Sequence, residues 1–264
     1  MATEAELAAY YPEDYNPYAD WQAPSGLLAA LSRAIRNFIT RRAISSLPLS
    51  AIADEKGQAM DVGCGRGDLG ALLISRGWSV TGVEPSADAA ASAAEKGLET
   101  KVGTLGSVDL AGRQFDAITF QHSLEHVTDP AADLALVSEL LVPGGKLLVS
   151  VPNFGSLQRR VFNGRWFHLD LPRHRFHYTD AGLRALAEGA GLKVAATGSS
   201  SSPVGLPGSL SYVVFGRWVF NGPIVARVIT LASLVIYPVA LLMALPSGGE
   251  VLHMVATKPD PADG

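Results

Sequence analysis

A run of seven residues, Asp61-Val62-Gly63-Cys64-Gly65-Arg66-Gly67, stands between a short apolar stretch, Gln58 to Val62, and a segment of helical character, Asp68 to Arg76. Its three glycines let the backbone turn tightly and approach a ligand without a Cβ in the way. A turn of this kind has a strand in front of it and a helix behind it. That places the chain among α/β folds.

The pattern then repeats. Trp78 to Val83 reads as a strand and Ser86 to Lys96 as a helix. Leu98 to Val102 and Phe115 to Phe120 read as strands, and Pro130 to Leu141 as a helix. Pro143-Gly144-Gly145 is a turn before a buried strand, Lys146 to Val151. Thr179 caps a helix to Ala190, with Gly191 as its stop, and Leu192 to Thr197 and Glu250 to Thr257 complete seven strands. Strands separated by helices of about ten residues imply a parallel, doubly wound sheet. The long connection before the last strand is compatible with a reversed strand at the end of that sheet. Gly198 to Gly208, rich in Ser, Gly and Pro, reads as a loop.

A chain of 264 residues, 48% hydrophobic, accommodates one such domain with decoration. The expected division is an N-terminal cap over residues 1–50 and a main domain over 51–264 that includes a hydrophobic helical insert at 203–247. Ser25 caps the expected helix of the N-terminal segment, which runs to about Ser46. The net charge of −4 and the pI near 5.9 argue against a nucleic-acid partner, because phosphate binding shows as clustered Lys and Arg. A single cysteine, Cys64, points to a reducing compartment, and residues 1–18 lack the basic and apolar regions of a secretory signal. The expected location is the cytoplasm.

Two nucleoside cofactors compete for the glycine turn. Gly65-Arg66-Gly67-Asp68-Leu69-Gly70 satisfies the dinucleotide pattern, and Glu84 ends the second strand where an acid meets ribose hydroxyls. That is the NAD-dependent oxidoreductase reading. Asp61 favours the other, since an aminoacyl cofactor tail needs a counter-charge there and a pyrophosphate does not. A module that binds such a cofactor without turnover is a further alternative.

Four more stretches bear on the choice: Val83-Glu84-Pro85-Ser86, Phe115-Asp116-Ala117-Ile118, Leu124-Glu125-His126-Val127 with Asp129-Pro130, and Leu141-Val142-Pro143-Gly144-Gly145. Together with the glycine turn they resemble the motifs of class I S-adenosylmethionine-dependent methyltransferases. The likeness covers roughly Gln58 to Leu192 plus the last strand. It is to the branch containing ubiquinone O-methyltransferases and sugar- and lipid-tailoring enzymes. The resemblance implies a Rossmann-like, doubly wound, seven-stranded sheet, to which this chain's own pattern adds an N-terminal helical cap and a hydrophobic helical insert between strands six and seven. It implies S-adenosylmethionine as the cofactor. Asp61, Gly63, Gly65 and Gly67 would then line the methionine moiety and its turn, and Glu84 the ribose. Pro85, Gly103, Thr104 and Leu105 would border the adenine, although an acidic residue is common at this last place and is missing here. Gln121 and His122 would flank the methionine tail.

Methyl transfer from a sulfonium is a direct displacement, so the protein must mainly hold the acceptor in line and remove its proton. His122, His126 and His174 are the candidate catalytic residues, with His122 the first choice of base. His122-x-x-Glu125-His126 also resembles the metal-binding E-x-x-E-H of small-RNA 2′-O-methyltransferases. His122, Glu125, His126 and His174 would form that divalent-metal set, which is not the favoured reading. The stretch Trp166 to Tyr178 resembles the segment that covers the acceptor pocket in this branch. Arg173 and Arg175 in it could pair with a phosphate or carboxylate.

Ile224 to Leu245 is nearly all Leu, Ile, Val and Ala. If the last strand is to rejoin the sheet, the chain must return to the side it left, so a single membrane crossing is ruled out. Peripheral contact of 204–246 with the inner face of a membrane is the expectation. A lid or dimer surface is the alternative. Each favours an apolar partner, and the expected reaction is O-methylation of a small, saccharide or lipid-linked acceptor.

Overall fold

The computed structural model describes residues 47–216, 236–245 and 248–260. The expected cap helix, Ser25 to about Ser46, and the centre of the hydrophobic segment, 217–235, lie outside the described residues. In chain order the elements are β1 (Gln58–Val62), α1 (Asp68–Ser75), β2 (Ser79–Glu84), α2 (Ala87–Glu95), β3 (Glu99–Val102), β4 (Phe115–Gln121), α3 (Pro130–Leu140), β5 (Leu141–Pro152), α4 (Leu157–Phe162), α5 (Asp180–Gly189), β6 (Lys193–Ser200), α6 (Gly205–Phe215) and β7 (Val251–Thr257). Residues 236–243 are also helical.

The strands form one sheet in the order β3-β2-β1-β4-β5-β7-β6. β1 to β5 pair in parallel. From β1 the sheet grows one way through β2 and β3 and the other way through β4 and β5. The chain leaves the ends of β1 and β4 in opposite directions there, and the crevice this opens is where open α/β sheets bind ligands. Met60, Ile118, Phe120, Leu147 and Val149 are fully buried along the central strands, as expected for parallel strands covered on both faces. Side-chain caps start the helices where the sequence places them. Ser86 Oγ accepts from Ala89 N, Asp129 Oδ1 from Ala131 N and Ala132 N, and Thr179 Oγ1 from Gly182 N.

Three expectations are corrected. β7 is reversed: Gly144 N donates to Lys258 O, Lys258 N to Gly145 O and Asn153 N to Glu250 O, so the strand runs antiparallel to β5. It lies inside the sheet, however, and β6 forms the edge. The Pro143-Gly144-Gly145 turn is a register shift within β5, where Phe115 pairs with Leu141 but Ala117 pairs with Lys146. The expected loop Gly198 to Gly208 is strand as far as Ser200 and helix from Gly205. Gly205 and Gly208 are small because of close approaches: a Cβ would lie 2.3 Å from Glu250 Oε1 and 2.6 Å from the Phe167 ring respectively. Composition alone does not distinguish that use of glycine from a loop.

The chain divides into two compact units. A sheet unit comprises residues 47–152, 178–198 and 252 onward, and a helical unit contains 153–177 and 199–251. In the helical unit, α6 packs on the short turns at 163–169, with Phe167 N donating to Ser209 Oγ at 3.0 Å. Helix 236–243 is tied to the end of β6 by Ser201 Oγ, which donates to Ala240 O at 2.7 Å.

Glu250 is the polar centre of the helical unit and is fully buried. Its Oε1 accepts from Ser202 N at 2.9 Å and its Oε2 from Gln158 Nε2. Gln158 Oε1 has no partner among the described residues. Turning the amide over lets that oxygen accept a proton carried by Glu250. Burial pushes the carboxyl up to about 8, so it is neutral at pH 7. An acid that keeps its proton when folded but loses it near its ordinary value of 4.5 when unfolded costs stability as pH rises between those values. From pH 6 to 8 the wild type is therefore expected to lose stability relative to Glu250→Gln, by up to about 1.4 kcal/mol per pH unit. Parallel melting-temperature profiles for the two proteins would refute this.

Candidate functional site

The glycine turn sits at the C-terminal end of β1 and is tied to β2. Gly63 N and Cys64 N both donate to Val83 O, at 2.7 and 3.2 Å. Gly65 N donates to Glu84 Oε2 at 3.0 Å, and Ser86 N to Glu84 Oε1 at 2.9 Å. Glu84 is thus held by two backbone N–H groups, and each of its oxygens keeps a lone pair for a further donor. Cys64 is buried and packs against Gly82, where a Cβ would lie 2.6 Å from its sulfur. Burial pushes its thiol well up, which removes it from nucleophilic chemistry.

Asp61 is buried one residue before the end of β1. Parallel register places Thr119 beside it, and Thr119 Oγ1 donates to Asp61 Oδ1 at 2.7 Å. Burial pushes the Asp61 carboxyl up to about 6, against the lowering effect of the Thr119 hydrogen bond; the charge that acts on it, Glu84, is of like sign. A buried carboxylate without a cation is costly. A ligand ammonium group would supply the missing charge. The donor and acceptor set therefore suits a nucleoside with an amino-acid tail. Asp61 matches an ammonium, Glu84 matches vicinal hydroxyls, and a glycine turn runs between them. Thr119 is the member that sequence reading missed. Its signal was its place two residues before Gln121 in a strand parallel to the one that ends in Asp61.

On the neighbouring strand end, Gln121 is half-buried and His122 follows with φ of +52°, a strained backbone for a residue with a Cβ. The strain is held by His122 N, which donates to Ser150 O at 2.8 Å. His122 Nδ1 lies 3.6 Å from Oε1 of the buried Glu125, and His126 N donates to Ser123 O at 3.0 Å. Ser123, also missed, donates through Oγ to Val62 O at 2.5 Å and closes this turn onto the glycine turn. Beyond β3, Gly103 N donates to Glu84 O at 3.0 Å, Thr104 is exposed and Leu105 is buried. Pro85 is exposed between Glu84 and the cap of α2.

His174 belongs to the helical unit, so the candidate catalytic histidines and the four-residue metal set are divided between the two units. There His174 is buried, with Nδ1 2.8 Å from His168 O and Nε2 3.7 Å from Asp170 Oδ2. Asp170 also accepts from both Nε and Nη2 of the Arg173 guanidinium. His177 Nε2 lies 3.0 Å from Leu169 O, and its ring tilts on Phe154 with centroids 5.3 Å apart.

The glycines of the turn differ in what they exclude. Gly67 caps α1 with φ of +79°, and a Cβ there would lie 2.8 Å from Ala93 Cβ and 2.9 Å from Ala93 Cα. Gly65 has φ of +52° but nothing within 4 Å. Gly65→Ala is expected to cost about 1–2 kcal/mol, the price of the left-handed backbone alone. Gly67→Ala is expected to cost about 2–4 kcal/mol, because a helix must also move. Chemical denaturation of both variants checks the order, and equal losses would refute it.

Comparison with known proteins bears on the same residues. A family model described as a methyltransferase domain matches residues 31–197. A ubiquinone biosynthesis O-methyltransferase of Aeromonas salmonicida is 30% identical over 169 residues, 57% of this chain and 71% of that one. Its counterpart in Xanthomonas oryzae pv. oryzae is 37% identical over 132 residues, and there the chain spans about half of the relative, 55%. Among solved structures, an S-adenosylmethionine-dependent methyltransferase of Thermotoga maritima superposes with a TM-score of 0.55 at 18% identity, covering 88% of this chain and 96% of that one. A Haemonchus contortus phosphoethanolamine N-methyltransferase 2 in complex with S-adenosyl-L-methionine superposes with a TM-score of 0.58 at 15% identity, covering 98% and 58%. The family model spans well over half of a chain whose sheet order, glycine turn and paired carboxylates suit the same cofactor, and the chain belongs to the S-adenosylmethionine-dependent methyltransferases.

Proposed function

We propose that this chain transfers the methyl group of S-adenosylmethionine to an oxygen of a lipid-linked or otherwise apolar acceptor, working at the inner, cytoplasmic face of a membrane. The observation that carries the reading is the carboxylate pair at the strand ends, Asp61 buried with no cation acting on it among the described residues and Glu84 clamped by Gly65 N and Ser86 N. In this reading Asp61 holds the ammonium and Glu84 the ribose hydroxyls. Gly63, Gly65 and Gly67 let the backbone approach, and Gln121 and His122 flank the tail. Pro85, Gly103, Thr104 and Leu105 border the adenine.

When bound, the cofactor supplies an electrophilic methyl on a sulfonium, whose departure as a neutral thioether needs no proton. The chain has three tasks left: to align the acceptor, to exclude water and to take one proton. His122 is the proposed base. With the acceptor hydroxyl held in line with the methyl group, the His122 imidazole would take the proton that the hydroxyl gives up on methylation. Glu125 Oε1, 3.6 Å from Nδ1, stands on the imidazole's other nitrogen side and leaves Nε2 for the acceptor in this reading. His126 plays a supporting part through its turn. Oxygen is preferred to nitrogen because the candidate bases are histidines and the similar curated relatives carry O-methyltransferase names.

The apolar acceptor rests on the helical unit. Val161, Leu171, Val214, Phe215, Leu242 and Leu245 are all more than half exposed there. No helix among the described residues is long and apolar enough to cross a membrane. The contact proposed for 204–246 is peripheral.

Methyl-labelled S-adenosylmethionine, incubated with the protein and separated membrane and soluble extracts, is expected to label an organic-phase product. Label confined to the aqueous phase would overturn the lipid-linked acceptor. The cofactor site has its own pH signature. The ammonium needs ionised Asp61, whose pKa near 6 lies within an accessible range. Affinity for S-adenosylhomocysteine is therefore expected to fall by up to tenfold per pH unit below about 6. A flat calorimetric profile between pH 5 and 7 would refute the Asp61 assignment.

A further inference from the structure

Asp61 is flanked unequally inside the sheet. In the parallel registers it stands between Gly82 on β2 and Thr119 on β4. Gly82 has no side chain, and the space on that side is taken by Cys64, whose sulfur would lie 2.6 Å from a Cβ there. Thr119 is completely buried, and its Oγ1 has two acceptors in reach, Asp61 Oδ1 at 2.7 Å and Met60 O at 3.4 Å. A hydroxyl has one proton, and the nearer acceptor, a carboxylate, takes it. Asp61 Oδ1 is therefore occupied by a donor from β4. Among the described residues no donor reaches Oδ2.

The arrangement answers a difficulty set by the site itself. A carboxylate needs its charge to hold an ammonium group, and most of what faces Asp61 works against that charge. Burial raises the carboxyl, and Glu84 at the end of β2 adds a like charge. The Cys64 thiol on the glycine turn is pushed up by burial and by the same two acids, so it stays protonated and brings no positive charge. Among the groups that act on Asp61, Thr119 alone favours the charged form.

We propose that Thr119 is a positioning residue for the cofactor's ammonium group: by donating to Oδ1 it holds the Asp61 carboxylate against β4 and leaves Oδ2 for the ligand. The proposal rests on the placement of S-adenosylmethionine with its ammonium at Asp61. In this reading Thr119 touches neither cofactor nor acceptor and acts through Asp61 alone. A hydroxyl donor favours the carboxylate over the acid, so removing it delays binding to a higher pH. A valine of similar shape suits a buried parallel strand but cannot donate.

The test is calorimetric binding of S-adenosylhomocysteine to the full chain between pH 5 and 8. Wild-type affinity is expected to fall below about 6, where the Asp61 carboxyl takes up its proton. In Thr119→Val the fall should set in about one pH unit higher, leaving affinity about tenfold below wild type at pH 5 and within about threefold of it at pH 8. Thr119→Ala, which deletes the hydroxyl together with its neighbouring methyl, should move the profile the same way. Thr119→Ser keeps the donor and should restore it. With Asp61→Asn abolishing binding, an unmoved profile in both deletion variants would make Thr119 a packing residue and overturn the proposal alone. Unchanged affinity in Asp61→Asn would overturn the ammonium placement and the proposal together.

Discussion

The site depends on one steric constraint, the absence of Cβ atoms where the first turn meets its neighbours. A Cβ on Gly63 would lie 2.4 Å from Ser123 Cβ, one on Gly67 2.8 Å from Ala93 Cβ, and one on Gly82 2.6 Å from the Cys64 sulfur. These approaches bring the end of β1 against the turn after β4, against α2 and against β2. With the backbone that close, Gly65 N reaches the Glu84 carboxylate and Ser123 Oγ reaches Val62 O. Without it, Asp61, Glu84 and His122 would still stand at the ends of adjacent strands, but no common turn would hold them.

Much of this was legible in the sequence, because a parallel sheet announces itself. β1 begins and ends where the apolar stretch does, and Ser86, Asp129 and Thr179 cap the helices they precede. Asp61, the glycines and Glu84 were readable because a tight turn between strand and helix restricts residue choice. What stayed hidden depends on contacts between residues far apart in the chain. Thr119 meets Asp61 through strand register, and Gln158 meets Glu250 across 92 positions. Neither has a local pattern. The place of β7 inside the sheet was hidden for the same reason, since periodicity shows that a strand exists but not which strands flank it.

The two units differ in what their sequences constrain. In the sheet unit, buried strands and tight turns leave few acceptable residues. The helical unit carries exposed Val214, Phe215, Leu242 and Leu245, whose role depends on what they meet rather than on what they pack against. Fold is therefore settled by the first unit, whereas the acceptor is a question for the second.

Electrostatics links the crevice to its ligand. Asp61 and Glu84 are both acidic, and Glu84 helps to raise the Asp61 pKa to about 6. Close to neutrality the pair therefore stands near the pH at which one carboxylate would take up a proton. An ammonium beside Asp61 and hydroxyls donating to Glu84 would relieve both the burial and the repulsion in one binding event. Such a crevice would select a ligand that carries a positive charge at one end and hydroxyl donors beside it. The glycine turn between them demands only that the backbone come close.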